Sequence, residues 1–370
     1  MGKEQKIVPI VREPLSLDGI SLNSALKGDN VSISVKGSLT SFDVGFHEVS
    51  SHLCQILSIL PAWRLLVKWN ETETHIFIDN FPMMLNIRTN KTIQKGEHLH
   101  KNDIADVSTL SFGDQSNNLN PKKGEKVIAI ISADYLHGLY YDFTGELDPD
   151  EFILNMGSLY KQIHYPHIYR SFEDDTIVKL IEKGWFPFVG LGEDENKLLM
   201  AMFKEGKADR VSDWCEDTFD HARIDKMVQR WSGYAAYQAK KTQFEQGLNC
   251  VKDGNYIAAI LTLNPLVEGV FNEYLMQKTG KGISYKGNHI AESIYKKAVE
   301  RLGENSLLLP KHFRDYLLKY FFKHNTSPVS DDVTRNASAH GRSKDDAFDF
   351  EKALIVIMTL DQLFFFMDRN

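Results

Sequence analysis

The sequence predicts an α+β N-terminal region followed by an all-α helical bundle, and three observations carry that prediction. Apolar and polar residues alternate only in the first third of the chain, a polar stretch rich in Asn, Gly and Lys follows near residue 120, and from about Asp209 onward apolar residues recur at helical spacing with no further alternation. A chain of 370 residues also exceeds what one hydrophobic core ordinarily fills, so two domains are expected, or three. The expected division is a mixed α/β domain over residues 1–120, a connecting segment or continuation of that domain over 121–208, and a helical domain over 209–370. The exact boundary stays open between 110 and 230.

Element by element, Val31, Ile33 and Val35 alternate with Ser32, Ser34 and Lys36, and Ile76-Phe77-Ile78 sits between His75 and Asp79, both strand patterns. Arg64 to Trp69 reads as a third strand. Val49, Leu53, Ile56, Leu57 and Leu60 recur at helical spacing until Pro61 stops them. Ser111 to Lys126, with Pro121, is the clearest linker or long loop. Beyond it, Lys126 to Ile131 is a candidate strand and Asp175 to Lys183 a helix ending at Gly184.

In the last third, Tyr256, Ile260, Leu263, Val267, Phe271 and Tyr274 form one helical stripe, which Pro265 is expected to kink or restart. Ile290, Ile294, Ala298 and Leu302 form a second. Pro310, at a first helical position, opens a third helix carrying Phe313, Leu317, Tyr320 and Phe321. Ser343 and Asp346 are spaced as a capping box for the last helix, whose wide apolar side holds Phe350, Leu354, Ile357, Leu360, Phe364 and Met367. Its apolar run, Leu354 to Met367, is interrupted by Asp361 and Gln362 and reads as a buried helix. No internal repeat of fixed period occurs.

The composition, 42% hydrophobic and 25% charged, is that of a folded globular chain. A formal net charge of -7 argues against coating nucleic acid with the whole surface and leaves room for a local basic site. Cys54, Cys215 and Cys250 are far apart with no C-x-x-C spacing, so neither a disulfide framework nor a cysteine zinc site is expected, and a reducing cytoplasm is the simple reading. Met1 to Glu13 lacks the apolar run of a signal peptide and the Ser or Thr of a myristoylation signal, and no stretch approaches a membrane span. His98 with His100, and His164 with His167, lack companion ligands at familiar spacing; no metal and no cofactor are expected. Gly190 and Gly192 are a fragment of a glycine loop without a Lys-Ser/Thr ending, a poor nucleotide cradle. Trp63, Trp69, Trp185, Trp214 and Trp231 read as core, and Lys240-Lys241 and Lys296-Lys297 as solvated faces or the flanks of an RNA groove.

The residues with chemistry lie between the third and last of these helices, in Asn325 to Lys344, a polar stretch between apolar neighbours. Ser330 or Asp331 is placed to cap a short helix through Val333 and Ala339, and Gly341 to end it in a left-handed conformation. On that helix Asn336 and His340, four apart, share a face, so that the Asn336 amide can orient the imidazole. Arg335 lies five residues from His340, about 140° around an ideal helix, so both reach one phosphate only if the helix breaks or a second copy contributes. Cleaving RNA without a metal needs a group that takes the 2′-hydroxyl proton, one that protonates the leaving 5′-oxygen, and cations for the phosphoryl charge. Histidine suits the first two tasks and the planar, permanently charged fork of arginine suits the third.

The pattern Arg335-Asn336-Ala337-Ser338-Ala339-His340-Gly341, in a polar turn leading into the last apolar helix, resembles the R-x4-6-H signature of HEPN (higher eukaryote and prokaryote nucleotide-binding) domains. Leu261-Thr262-Leu263-Asn264-Pro265-Leu266-Val267-Glu268-Gly269 is similar to the second-helix segment of helical modules in bacterial phage-defence proteins, and Ile181-Glu182-Lys183-Gly184-Trp185-Phe186 to the sequence that often precedes them. The resemblance covers roughly Asp209 to Asn370. It implies a metal-independent endoribonuclease leaving a 2′,3′-cyclic phosphate and a 5′-hydroxyl, active as a homodimer, with Arg335 and His340 as the catalytic pair, Asn336 at the intervening polar position, and Glu268 buttressing the arginine. It further implies a toxin or abortive-infection effector acting on RNA; since such a site would be harmful if constantly active, the unrelated strand-bearing residues 1–120 are expected to be a sensor or regulatory domain for a phage or host trigger.

Other uses of the same residues stay open. Asn336, Ser338 and the preceding aspartates also suit turn and cap chemistry, Arg335 suits an ion pair with Glu268 or Asp332, and His340 suits a solvated surface. A non-catalytic HEPN-like scaffold that dimerises or binds RNA or protein is the runner-up, and an antitoxin-like partner of a nucleotidyltransferase is a third reading. The two classes part at one feature: a working site exposes Arg335 and His340 in a groove, whereas a scaffold buries them in intramolecular pairs.

Overall fold

A computed structural model describes residues 14–17, 20–23, 30–35, 64–79, 81–93, 98–114, 116–133, 136–173, 175–282, 286–323 and 333–368, with 14–35 described by backbone pairing alone. It has a small antiparallel sheet region first and a mostly helical region after it. Strands β1 (Pro14–Leu17) and β2 (Ile20–Asn23) pair antiparallel. Strands β3 (Asn30–Val35), β4 (Arg64–Trp69), β5 (Thr74–Asp79), β8 (Lys126–Ala133) and β9 (Leu136–Asp142) form a five-stranded sheet in the order β3-β5-β4-β8-β9, every neighbour antiparallel. Strands β6 (Met83–Thr89) and β7 (Ile104–Phe112) make a separate two-stranded sheet. The strands expected around Val31, Arg64, Ile76 and Lys126 are β3, β4, β5 and β8. The helix expected over Val49 to Leu60 lies outside the described residues.

By contacts the chain divides into two units, Met1–Ile87 with Val107–Pro166, and Arg88–Asp106 with His167–Asn370. The polar stretch Ser111 to Lys126 connects β7 to β8 inside the first unit. Among the described residues the first α-helix opens at Pro149, and the span 121–208 holds β8, β9 and four α-helices: α1 (Pro149–His164), α2 (Pro166–Glu173), α3 (Thr176–Glu182) and α4 (Glu193–Lys204).

In the first unit, β4 is buried over Leu65 to Trp69, and Leu66, Phe112, Val127, Ala129, Phe152 and Met156 belong to one apolar core. Helix α1 opens on Asp148, whose carboxylate accepts from the Asp150 amide at 2.9 Å, with Pro149 at the first helical position. It packs on β8 and β9 and closes on β7 at Gly157, where a Cβ would stand 2.7 Å from the Ser108 carbonyl oxygen and 2.8 Å from the Thr109 Cα. These are backbone atoms of a strand, so only glycine allows that approach.

The second unit continues through α5 (Val211–Thr218), α6 (His221–Trp231), α7 (Ala235–Gln238), α8 (Lys241–Lys252), α9 (Tyr256–Thr279), α10 (Gly287–Leu302), α11 (Pro310–Tyr316), α12 (Arg335–Ala339) and α13 (Phe350–Phe366). Helix α9 is unbroken across Pro265, and its predicted stripe from Ile260 to Tyr274 is buried. Pro310 opens α11 as its spacing predicts. The cap of α13 differs from the expected one. Asp349, with extended backbone, accepts from the Lys352 amide at 2.7 Å, while Asp346 sits in a 3-10 turn, Asp345–Ala347. A cap must sit next to the first helical amide, and Ser343 and Asp346 lie too far upstream.

Helix α13 is apolar almost all round and buried on nearly every side, with Asp361 and Gln362 buried among the rest. Their oxygens are answered from neighbouring elements, while Gln362 Nε2 is buried without a partner among the described residues. Asp361 accepts from Trp231 Nε1 at 2.7 Å and pairs with Arg230 at 2.5 Å, and Gln362 Oε1 accepts from the Val189 amide at 2.7 Å. Thr359 and Tyr316 share a hydroxyl hydrogen bond at 2.8 Å. Trp69, Trp185 and Trp231 are fully buried, as expected of core residues.

Gly157→Ala is expected to destabilise the first unit by about 1–3 kcal/mol through forced separation of α1 from β7. Urea unfolding followed by circular dichroism reads this; an unchanged midpoint would refute the close approach.

Candidate functional site

The polar corner is built on two helices of the second unit. Thr334, in extended conformation, caps α12 by accepting from the Ala337 amide at 3.1 Å, so the helix starts at Arg335 and is shorter at its N-terminus than the sequence predicts. Ser330 and Asp331, the expected caps, lie outside the described residues, as does Asp332. Gly341 ends the helix at φ 64, with its amide on the Ser338 carbonyl at 3.1 Å and the Arg342 amide on the Ala337 carbonyl at 2.9 Å. That pair of bonds is the Schellman arrangement, and the left-handed backbone it needs is why glycine suits position 341.

Helix α9 holds this turn through two residues one helical turn apart. Glu268 receives the Arg335 guanidinium side-on, Nε to Oε1 at 2.8 Å and Nη2 to Oε2 at 3.1 Å. Asn264 Nδ2 donates to Ser338 Oγ at 3.0 Å, and that hydroxyl donates to the Thr334 carbonyl at 2.8 Å. Asn264 and Glu268 share a face of α9 by their spacing of four, and Arg335 and Ser338 share a face of α12 by their spacing of three. The two short rows meet as a clamp. Burial raises the Glu268 carboxyl pKa, and the adjacent guanidinium opposes that rise.

Asn336 is fully engaged elsewhere. Its Oδ1 accepts from Arg335 Nη1 at 2.8 Å, and its Nδ2 donates to the carbonyls of Phe322, 2.9 Å, and Lys323, 3.2 Å. Those carbonyls follow a π-helical turn, Leu317–Phe321, whose end leaves backbone acceptors without helical partners. The expected contact of the Asn336 amide with the His340 ring is therefore absent, because the amide is spent on closing that helix end. His340 sits at the end of α12, exposed, and its ring has no hydrogen-bond partner among the described residues.

Arg335, 29% exposed at the side chain, keeps two of its five N–H groups unassigned after the bonds to Glu268 and Asn336. An anion can still meet its outer edge. Of the four residues singled out in sequence, Arg335, Asn336 and Glu268 come together, and His340 stands apart at the other end of one short helix. Asn264, Ser338 and Thr334 complete the corner and were not singled out for it. The spacing of Asn264 and Glu268 in one helix was the available signal.

Among the described residues, no three of His, Cys, Asp and Glu gather as a metal would require, and no helix is long and apolar enough to cross a membrane. No family profile, curated protein or solved structure matches the chain.

Two measurements test the clamp. A double-mutant cycle over Glu268→Gln and Arg335→Gln is expected to show a coupling of about 1–2 kcal/mol in unfolding free energy; additive effects would remove the pair from the account. Carboxyl titration by NMR should find Glu268 above the ordinary glutamate value and higher still in Arg335→Gln. Between those two limits the folded chain holds more protons than the unfolded one, so this group's contribution to stability falls as pH rises through the window.

Proposed function

We propose that the helical half is a HEPN-like endoribonuclease that cleaves RNA without a metal, by attack of the 2′-hydroxyl on the adjacent phosphate, as a homodimer. The observation that carries this reading is the Arg335–Glu268 fork, which holds a permanent cation at a surface corner while the His340 imidazole, with no hydrogen-bond partner among the described residues, stands exposed at the other end of the same short helix. The fork fixes the plane of the guanidinium and leaves its outer N–H groups for phosphoryl oxygens, where negative charge grows in the transition state. His340, without a hydrogen-bond partner among the described residues, is available to take the 2′-hydroxyl proton, and the imidazole of a second copy to protonate the leaving 5′-oxygen. Two copies are needed because both cationic and basic groups leave one short helix in different directions. In a cell such an activity suits a toxin or abortive-infection effector in the cytoplasm, with the strand-bearing half as the sensor of a phage or host trigger.

A second reading, a non-catalytic dimerisation or binding scaffold, is favoured by one observation. Arg335 spends three N–H groups on Glu268 and Asn336, and the Asn336 amide closes the Phe322 and Lys323 carbonyls, which is how a structural corner is satisfied.

The purified protein should cut an RNA pool in the presence of EDTA and leave 2′,3′-cyclic phosphate ends. His340→Ala should lower the rate about a hundredfold or more, and specific activity should fall on dilution below the dimer dissociation constant. Clean folding of parent and variant with no cleavage by either would leave the scaffold reading in place.

A further inference from the structure

A second cationic place lies in the helical unit, away from the residues just described. Asn90, Lys91, Asn102, Gly190, Gly192, Glu195, Arg223, Lys226, Met227 and Arg230 enclose a cleft of about 330 Å³. Four of these side chains are cations and one is a carboxylate, in a chain whose net charge is -7. Arg223, Lys226 and Arg230 follow one another on α6 at intervals of three and four, which sets them in a row along one wall.

The row is held in place from behind. Arg223 grips both oxygens of Glu195, at 2.5 and 2.7 Å, donates to the Gly190 carbonyl at 3.1 Å, and lies 3.9 Å from the Phe219 ring centre. Glu195 is thus neutralised, and its pKa is lowered by the Arg223 and Gly192 hydrogen bonds against the opposing effect of burial, the largest single influence on it. Arg230 pairs with the buried Asp361 and donates to the Asn90 carbonyl, and Lys91 pairs with Asp103 at 3.0 Å. The far wall is tied by Asn90 Nδ2 to the Asn102 carbonyl at 2.8 Å. Lys226 differs from the other three: it is exposed and has no hydrogen-bond or ion-pair partner among the described residues. Arg223, Arg230 and Lys91 each carry a paired charge, and Lys226, with no partner among the described residues, leaves the cleft one positive charge in excess.

We propose that this cleft binds a small organic phosphate of nucleotide size. Its volume is at the low end of small-molecule sites, which run from about 300 to 1,000 Å³. Guanidinium forks match phosphate oxygens in shape as well as charge, and an unpartnered lysine supplies a mobile point charge to the same group. The side chain of Met227 gives the remainder of the ligand an apolar contact. The Gly190 position itself is set by packing, since a Cβ there would meet Met358 Sδ at 2.7 Å.

The site is independent of the ribonuclease reading and is tested without it. Calorimetric titration of the full chain with adenosine 5′-monophosphate, ribose 5-phosphate, inorganic pyrophosphate, adenosine and a hexaribonucleotide separates the ligand classes. Saturable binding of the monophosphates, weakened about tenfold in Lys226→Glu, kept in Lys226→Arg and unchanged in Lys296→Glu, is the expected result. Adenosine binding as tightly as its monophosphate, binding by the hexaribonucleotide alone, equal losses in the two charge reversals, or no saturable binding in a folded chain would each overturn it. An unliganded melting temperature in Lys226→Glu equal to the parent's shows that the exposed lysine carries no fold of its own.

Discussion

The helical unit depends on the burial of α13 on nearly all sides. A helix enclosed in this way has no solvent to hydrate its polar side chains, so each one that remains must find a protein partner or destabilise the fold. Asp361 is the most demanding, a carboxylate 3% exposed. It is answered by two donors from adjacent residues of α6, Trp231 Nε1 and the Arg230 guanidinium. Removing Arg230 would leave the charge buried without compensation and removing Trp231 would leave one oxygen without its donor, so the carboxylate dictates how α6 lies against α13.

Both proposed sites descend from that arrangement. Helix α6 is positioned by Asp361 at Arg230, and the same helix carries Arg223 and Lys226 along the cleft wall. Helix α9 packs on α13 over its apolar stripe, which turns Asn264 and Glu268, two polar residues of otherwise buried surroundings, toward α12. Each of those residues finds its partner in the polar corner. The short helix α12, one turn and a half long, could not persist alone. It is held by Glu268 and Asn264 from one side and by the Asn336 bridge to Phe322 and Lys323 from the other.

What the sequence disclosed follows the range of the interactions. Strands β3, β4, β5 and β8 and the buried stripes of α9, α10, α11 and α13 are local patterns, and period alone locates them. The Arg335–Glu268 pair was also legible, as one of two carboxylates expected to answer the arginine, since an acid in a buried helix needs a cation. The bond of Asn336 to the end of a π-helical turn was not, because helix type at residues 317–321 is settled by packing rather than by propensity. For the same reason Asn336 looked free to serve His340. The cationic row on α6 has a helical period, yet nothing local says that Lys91 and Asn102, more than a hundred residues earlier, close a cleft against it. Asp361 and Gln362 read as interruptions of an apolar run, and only the tertiary fold shows them as its anchors.

Charge sets the limits within which either site could work. A body of net charge -7 repels a polyanion at long range, so attraction is confined to places where cations cluster within roughly a Debye length, about 8–10 Å. At the polar corner Glu268 cancels much of the field of Arg335, and what remains is orientation: a guanidinium with a fixed plane and two outward N–H groups. Under the proposed ribonuclease reading a lone corner of that kind would bind RNA weakly, and pairing two of them across a symmetry axis would supply the second cation and second imidazole that one chain lacks. The cleft along α6 works the other way. Its one unpaired cation, Lys226, and the paired guanidinium groups beside it all belong to one copy, so the phosphate proposed for it needs no second chain. The two places thus differ in what completes them, another protomer in one case and a small ligand in the other.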